Sequence, residues 1–323
     1  MMERVVDPLA RQPSIWRQQS ETIGYTVMIV ALVVAPFVTY PLFLMQALCF
    51  ALFACAFNLL IGYVGLLSFG HALYFGWASY IAAHTAKVWG LTPELAIVAG
   101  TLVATACGVI AGSLAIRRQG IYFAMITLAL AQMMYFVAVR AKFTGGEDGI
   151  QAVPRGRLFG LIGLSNEWTM YVFVLAIFLA GFLLIYRIIH SPFGEVLKAI
   201  RENETRAISL GYKTDRYKLM AFVLSAMLAG VAGSTKAVVV GIASLTDVNW
   251  PMSGEVVLMA LVGGLGTIFG PVVGSFVILT LQYKLAFLGE WVLVIQGVIF
   301  VACVLLFRRG LIGELANWLK IRL

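Results

Sequence analysis

The sequence predicts an all-α integral membrane protein, a polytopic helical bundle of about ten transmembrane helices with re-entrant or broken helices among them. Composition comes first. Of 323 residues, 61% are hydrophobic and 12% charged, where a soluble domain is nearer half apolar and a quarter charged. Mean hydropathy is +0.95. Second, apolar runs long enough to approach the ~30 Å hydrocarbon core follow one another with short connections. Third, charge is gathered rather than spread: 10 of the 38 Asp, Glu, Lys and Arg residues fall in the 28 residues 191–218.

The runs lie near 22–40, 42–61, 63–86, 94–116, 121–139, 168–189, 219–241, 254–267, 270–288 and 291–307. Pro41, Pro93, Pro192 and Pro251 punctuate them, since proline cannot continue a helix. Runs 254–267 and 270–288 are Gly-rich and predict a helix pair with a kinked or re-entrant section. Residues 1–21 form a polar tail, in which Trp16, Arg4, Arg11 and Arg17 suit the membrane surface. The membrane domain covers 22–308, with a polar loop at 190–218, and a second basic tail covers 309–323. Cys49, Cys55, Cys107 and Cys303 fall inside apolar runs without a CxxC pair, so they read as packing residues.

Basic residues set the orientation. Residues 187–218 hold seven Lys or Arg, Arg117–Arg118 make a second basic point, and both tails are basic. An even number of spans puts all four on the cytoplasmic side. The outer segment 140–167, with Arg140, Lys142, Arg155 and Arg157, runs against that rule. A net charge of +8 then reflects topology, and no nucleic-acid partner is implied.

The charged loop reads as structured. Ser191 suits a helix cap ahead of Pro192, and Glu195 favours the helix N-terminus. Thr205 is expected to cap a second short helix ended by Gly211. Arg201 and Glu204 are expected on an exposed charged face. A loop that only returned the chain would need a few residues, so this one is expected to dock a partner.

"GLLSFGHA" at 65–72 nearly spells a phosphate-binding loop, but His71 and Ala72 replace the lysine and hydroxyl. Gly62, Gly65, Gly70 and Gly76 instead suggest close helix approach or a broken helix lining a path. "GLGTIFG" at 264–270 resembles it and suggests an internal repeat. His71, His84 and His190 are isolated, so neither a metal nor a catalytic base is indicated. Glu255, Lys236 and Lys284 are expected at outer ends, reaching the interface. Polar residues inside spans then look neutral, which speaks against an ion-coupled carrier. The absence of a nucleophile–base set speaks against a membrane enzyme.

Five segments, in order, resemble the LivM-type permease subunits of ABC importers for branched-chain amino acids. They are "NLLIGYVGLLSFGHALYFG", "RRQGIYFAMITLALAQ", "TGGEDGI", "SPFGEVLKAIRENETRAISLGYKTDRYKLMAFVLSAMLAGVAGS" and "EVVLMALVGGLGTIFGPVVG". The chain departs from the family where Gln132 replaces a frequent acid and Gly120-Ile121-Tyr122 replaces G-D-Y. The resemblance implies a non-enzymatic permease subunit of the bacterial inner membrane, with both termini cytoplasmic. Its implied partners are two cytoplasmic ATPase subunits holding ATP and Mg, a second homologous permease, an extracytoplasmic solute-binding protein and lipid. No cofactor would be bound by this chain itself. Residues 190–218 would be the coupling loop, with Glu195, Arg201, Glu204, Ala207 and Gly211 as its candidates. Asn58, Gly65, Ser68, His71, Thr127, Gln132, Gly264 and Gly270 are the candidates for the pathway. The implied solute is a branched-chain or related small amino acid, with urea, an amide or another small solute as alternatives.

Overall fold

The computed structural model describes residues 14–160, 162–289, 291–306 and 310–318. The expectations for Arg4, Arg11, the side chains of Trp16, Arg17 and Cys303, and the end of the C-terminal tail lie outside the described residues.

Among the described residues the regular structure is helical apart from one two-stranded hairpin, β1 (Arg157–Leu158) with antiparallel β2 (Ile162–Gly163). The helices are α1 (Ser14–Val34), α2 (Pro41–Tyr63), α3 (His71–Lys87), α4 (Pro93–Ala115), α5 (Ile121–Arg140), α6 (Glu167–Ile189), α7 (Pro192–Glu202), α8 (Glu204–Ser209), α9 (Thr214–Val240), α10 (Trp250–Gly263), α11 (Gly270–Leu285), α12 (Trp291–Leu306) and α13 (Gly310–Trp318). Prolines open α2, α4 and α7 and sit in the first turns of α10 and α11, where their missing N–H costs nothing. Among the described residues five helices, α2, α4, α5, α6 and α9, are long and apolar enough to cross a membrane unaided. The protein is a multi-pass membrane protein.

The bundle is organised around α2 and α9. Helix α2 is buried over nearly its whole length, from Leu44 to Tyr63, which is why its apolar residues show no single face. Helix α9 packs on α2, α3 and α4 through small residues. An added Cβ on Gly233 would collide with the Phe75 carbonyl of α3, and one on Gly230 would meet Ala104 of α4. With hydrocarbon tails as apolar as leucine, such close backbone approach is what holds membrane helices together. Helices α4, α5 and α6 turn apolar stripes outward, Met125, Met133 and Phe136 among them.

The predicted span 63–86 is not one helix. Helix α2 ends at Tyr63, residues 64–70 make a non-helical turn, and α3 starts at His71. The predicted pair 254–267 and 270–288 repeats this plan. Helix α10, ~21 Å long by its 14 residues, turns at 264–269 into α11. Both turns lie at the end of the bundle that carries α7 and α8.

At the other end, segment 150–155 is strapped to the chain between α9 and α10. Ile150 and Ala243 exchange two backbone bonds of 2.9 Å, and Val153 N–H donates to the Gly241 carbonyl at 2.9 Å. Arg155 donates to the Val239 carbonyl near the end of α9 at 3.2 Å. Its charge is thus used on free carbonyls at a helix C-terminus, a physical reason for an arginine in a segment the charge rule would leave bare.

Candidate functional site: two helix breaks and the loop beneath them

The two turns face each other across Asn58. Its amide donates to the Thr267 carbonyl at 2.9 Å, and its carbonyl oxygen accepts from Gly266 N–H at 3.0 Å. Each turn uses a hydroxyl in the same way. Ser68 Oγ accepts from Gly70 N–H at 3.3 Å, and Thr267 Oγ1 from Gly270 N–H at 3.1 Å. The resemblance of "GLLSFG" to "GLGTIFG" corresponds to two helix–turn–helix units that touch one another, each with a turn hydroxyl accepting from a backbone N–H at the start of the next helix. Close packing forces the glycines: a Cβ on Gly62 would lie 2.8 Å from Gly266 N, and one on Gly70 2.5 Å from the Thr127 carbonyl.

Of the candidate pathway residues, Asn58, Gly65, Ser68, Gly264 and Gly270 gather at these turns. His71, in the first turn of α3, is fully buried. Its Nε2 meets Ser225 Oγ of α9 at 2.8 Å, and the edges of Phe57, Tyr74 and Phe222 enclose the ring. Thr127 touches Gly70, and its hydroxyl bonds back to the Ala124 carbonyl. Gln132 is half-buried, further along α5, apart from the cluster. Ser253 of α10 was not signalled by the sequence, yet its Oγ accepts from Ala72 N–H at 2.9 Å. It satisfies one of the free donors that any helix start leaves.

The charged loop folds against this region. Helix α7 buries Gly194, Leu197 and Ile200 on one face, and Ser191 caps it through Gly194 N–H as expected. The second cap is corrected: Asn203, not Thr205, accepts from Arg206 N–H and opens α8. Gly211 has φ +89°, the left-handed geometry foreseen for it. Ala207 is buried, and Glu195 pairs with Lys198 at 2.8 Å on the surface.

Arg201 is exposed as expected but also makes a bond into the bundle, whereas Glu204 is half-buried and departs from the exposed charged face. The Arg201 guanidinium reaches up to donate to the Gly62 carbonyl, and its Cγ would sit 3.3 Å from a Cβ on Gly65. Glu204 Oε1 takes Lys218 Nζ of α9 at 2.5 Å and the Thr214 hydroxyl at 3.2 Å, while Oε2 accepts from Gln119 at 2.9 Å. Lys218 is buried, and a buried ammonium needs such a partner. Long-range partners of this kind are invisible in local pattern. The loop still exposes Ile208 and Leu210, at 54% and 70%.

The spans are also less neutral than the sequence suggests. Lys236 does not reach the interface: it and Asp247 are both buried and paired at 2.6 Å. Asp247 sits in "SLTDVNW", which reads as a plain connection.

The profile of the family described as "Branched-chain amino acid transport system / permease component" matches residues 40–304. The chain belongs to this family. This permease is 25% identical over 288 residues to the high-affinity branched-chain amino acid permease LivM of Escherichia coli (strain K12), covering 82% of this chain and 68% of that one. It is 26% identical over 269 residues to the probable branched-chain amino acid permease LivH of Methanocaldococcus jannaschii, covering 76% and 81%. It is 29% identical over 238 residues to the ribose import permease RbsC of Bacillus subtilis (strain 168), covering 69% and 70%. No solved structure matches the permease.

Proposed function

We propose that this permease forms half of the translocation pathway of an ATP-binding-cassette importer for branched-chain or related small amino acids. It sits in the bacterial inner membrane with both termini in the cytoplasm, beside a second, homologous permease. Two cytoplasmic ATPase subunits hold ATP and Mg and carry out hydrolysis, and an extracytoplasmic binding protein delivers the solute. The chain itself performs no chemistry.

One observation carries the coupling role: Arg201 of α7 is bonded to Gly62, at the break between α2 and α3. A push on the loop therefore reaches the non-helical turns at 64–70 and 264–269 without passing through a flexible linker. Non-helical backbone at membrane depth is tolerated where protein buries it, and it is where a helix bends at least cost. Ile208 and Leu210 supply an apolar knuckle for the ATPase to grip. The amino-acid solute is supported by the family and by the LivM and LivH relatives.

The test is purification of the intact complex from a bacterium lacking its own importer. Leu210→Glu is expected to lower ATPase recovery at least fivefold at normal permease levels. Arg201→Ala is expected to keep the ATPase bound and to cut leucine uptake about tenfold. Normal uptake and normal ATPase recovery in both variants would remove the coupling role.

A further inference from the structure

A second place in the bundle carries ionised groups that the coupling loop does not use. Lys236 lies ~33 Å along α9 from Thr214, at the end remote from α7. Its Nζ donates to Asp247 Oδ2 at 2.6 Å, with the two side chains 9% and 3% exposed. Well-packed apolar residues of similar volume would hold a fold at least as firmly as a buried ion pair. Ionisable groups kept inside a membrane bundle mark routes for solutes or ions.

The surroundings suit a polar guest. Tyr80 is fully buried, and its hydroxyl has no hydrogen-bond partner among the described residues. It lies one turn along α3 from Gly76, where an added Cβ would come 2.8 Å from the Asp247 carbonyl. The 150–155 strap bonds to Val239, Gly241 and Ala243, all between the two charged residues in sequence. Lifting it would free the segment that carries Asp247.

We propose that Lys236 and Asp247 form a zwitterion site at this end of the pathway, taking solutes that carry both an ammonium and a carboxylate. With the strap closed the two side chains neutralise each other. With it lifted, Lys236 takes the solute carboxylate, Asp247 takes the solute ammonium, and Tyr80 offers a further donor. The exchange leaves no buried charge unpaired. A monoanion or monocation would strand one partner, and an uncharged solute such as ribose would replace neither half. The inference rests on the amino-acid reading above and deepens it.

The experiment uses the whole importer, with ATPases and binding protein, in proteoliposomes. Replacing the pair by Lys236→Met/Asp247→Leu is expected to lower leucine uptake at least tenfold, with assembly of the complex retained. Lys236→Arg, which keeps the charge, is expected to retain uptake within threefold. A purely structural pair predicts normal uptake in the apolar variant, and that result overturns the site. The wild-type complex supplies a readout that needs no variant to fold. During turnover, leucine is expected to change amide exchange over 241–247 at least threefold, whereas leucinamide and 4-methylpentanoate are not. Equal effects from all three, or none from leucine, overturn the site. A wild-type complex that carries ribose or urea and no amino acid would instead remove the proposed function itself.

Discussion

At the scale of single residues, Asn58 is the junction on which both helix breaks depend. Asn58→Leu removes two hydrogen bonds and leaves Gly266 N–H and the Thr267 carbonyl without their partner. A buried orphan costs roughly 1–3 kcal/mol, so the detergent-solubilised protein is expected to melt several degrees lower, measured by thermal unfolding. Glu204 makes a sharper case. Reversing it to Arg sets a cation against buried Lys218, and breaking such a pair costs about 3 kcal/mol. Glu204→Gln, which retains hydrogen-bonding atoms for Thr214 and Gln119, is expected to lose less. Equal stability of the two variants would mean that the charge on Glu204 does not matter. The sequence marked Asn58 and Glu204 as notable by residue type and position. It could not say what they bond, because Asn58 finds its partners 208 and 209 residues away and Glu204 reaches both to Gln119 and to Lys218.

Elements were more legible than bonds. Prolines and apolar runs located the helices, and Ser191, Pro192 and Gly211 framed the charged loop. The unwound turn at 64–70 was misread as part of a span because its residues are themselves apolar. Hydropathy measures affinity for lipid and is silent about whether the backbone is helical. Glycine alone signalled the break, and glycine has two uses here that substitution separates. Gly211 needs its positive φ, and an added Cβ would meet nothing within 4 Å. Gly211→Val is therefore expected to strain the end of α8 by about 1 kcal/mol or more, lowering uptake while the bundle remains inserted. Gly233 needs its missing side chain, since even one Cβ strikes the Phe75 carbonyl. Gly233→Ala is expected to part α3 from α9 and to abolish folded protein on gel filtration. Gly254→Ala, where the space is open, is expected to behave as wild type.

For the whole molecule, the alternation of long helices places α7 and α8 at one end and the 150–155 strap at the other. In a background without native cysteines, Ser209→Cys is expected to resist an impermeant thiol reagent applied to intact cells. Asp148→Cys, on the exposed turn before the strap, is expected to react. The opposite labelling would invert the protein and place the loop out of reach of cytoplasmic ATPases. The fold also has a history in time. Asn58 of α2 is synthesised more than two hundred residues ahead of the backbone that satisfies it. At about 5–20 residues per second, that is a wait of roughly 10–40 s. During it, a helix destined for burial on all sides must stand in the insertion machinery or in lipid, with an unsatisfied amide near its end. The central helix of the finished bundle thus waits long for its partners. Anything that shelters α2 during that interval, an early contact with α6 or a membrane chaperone, would act on yield without altering the mature protein.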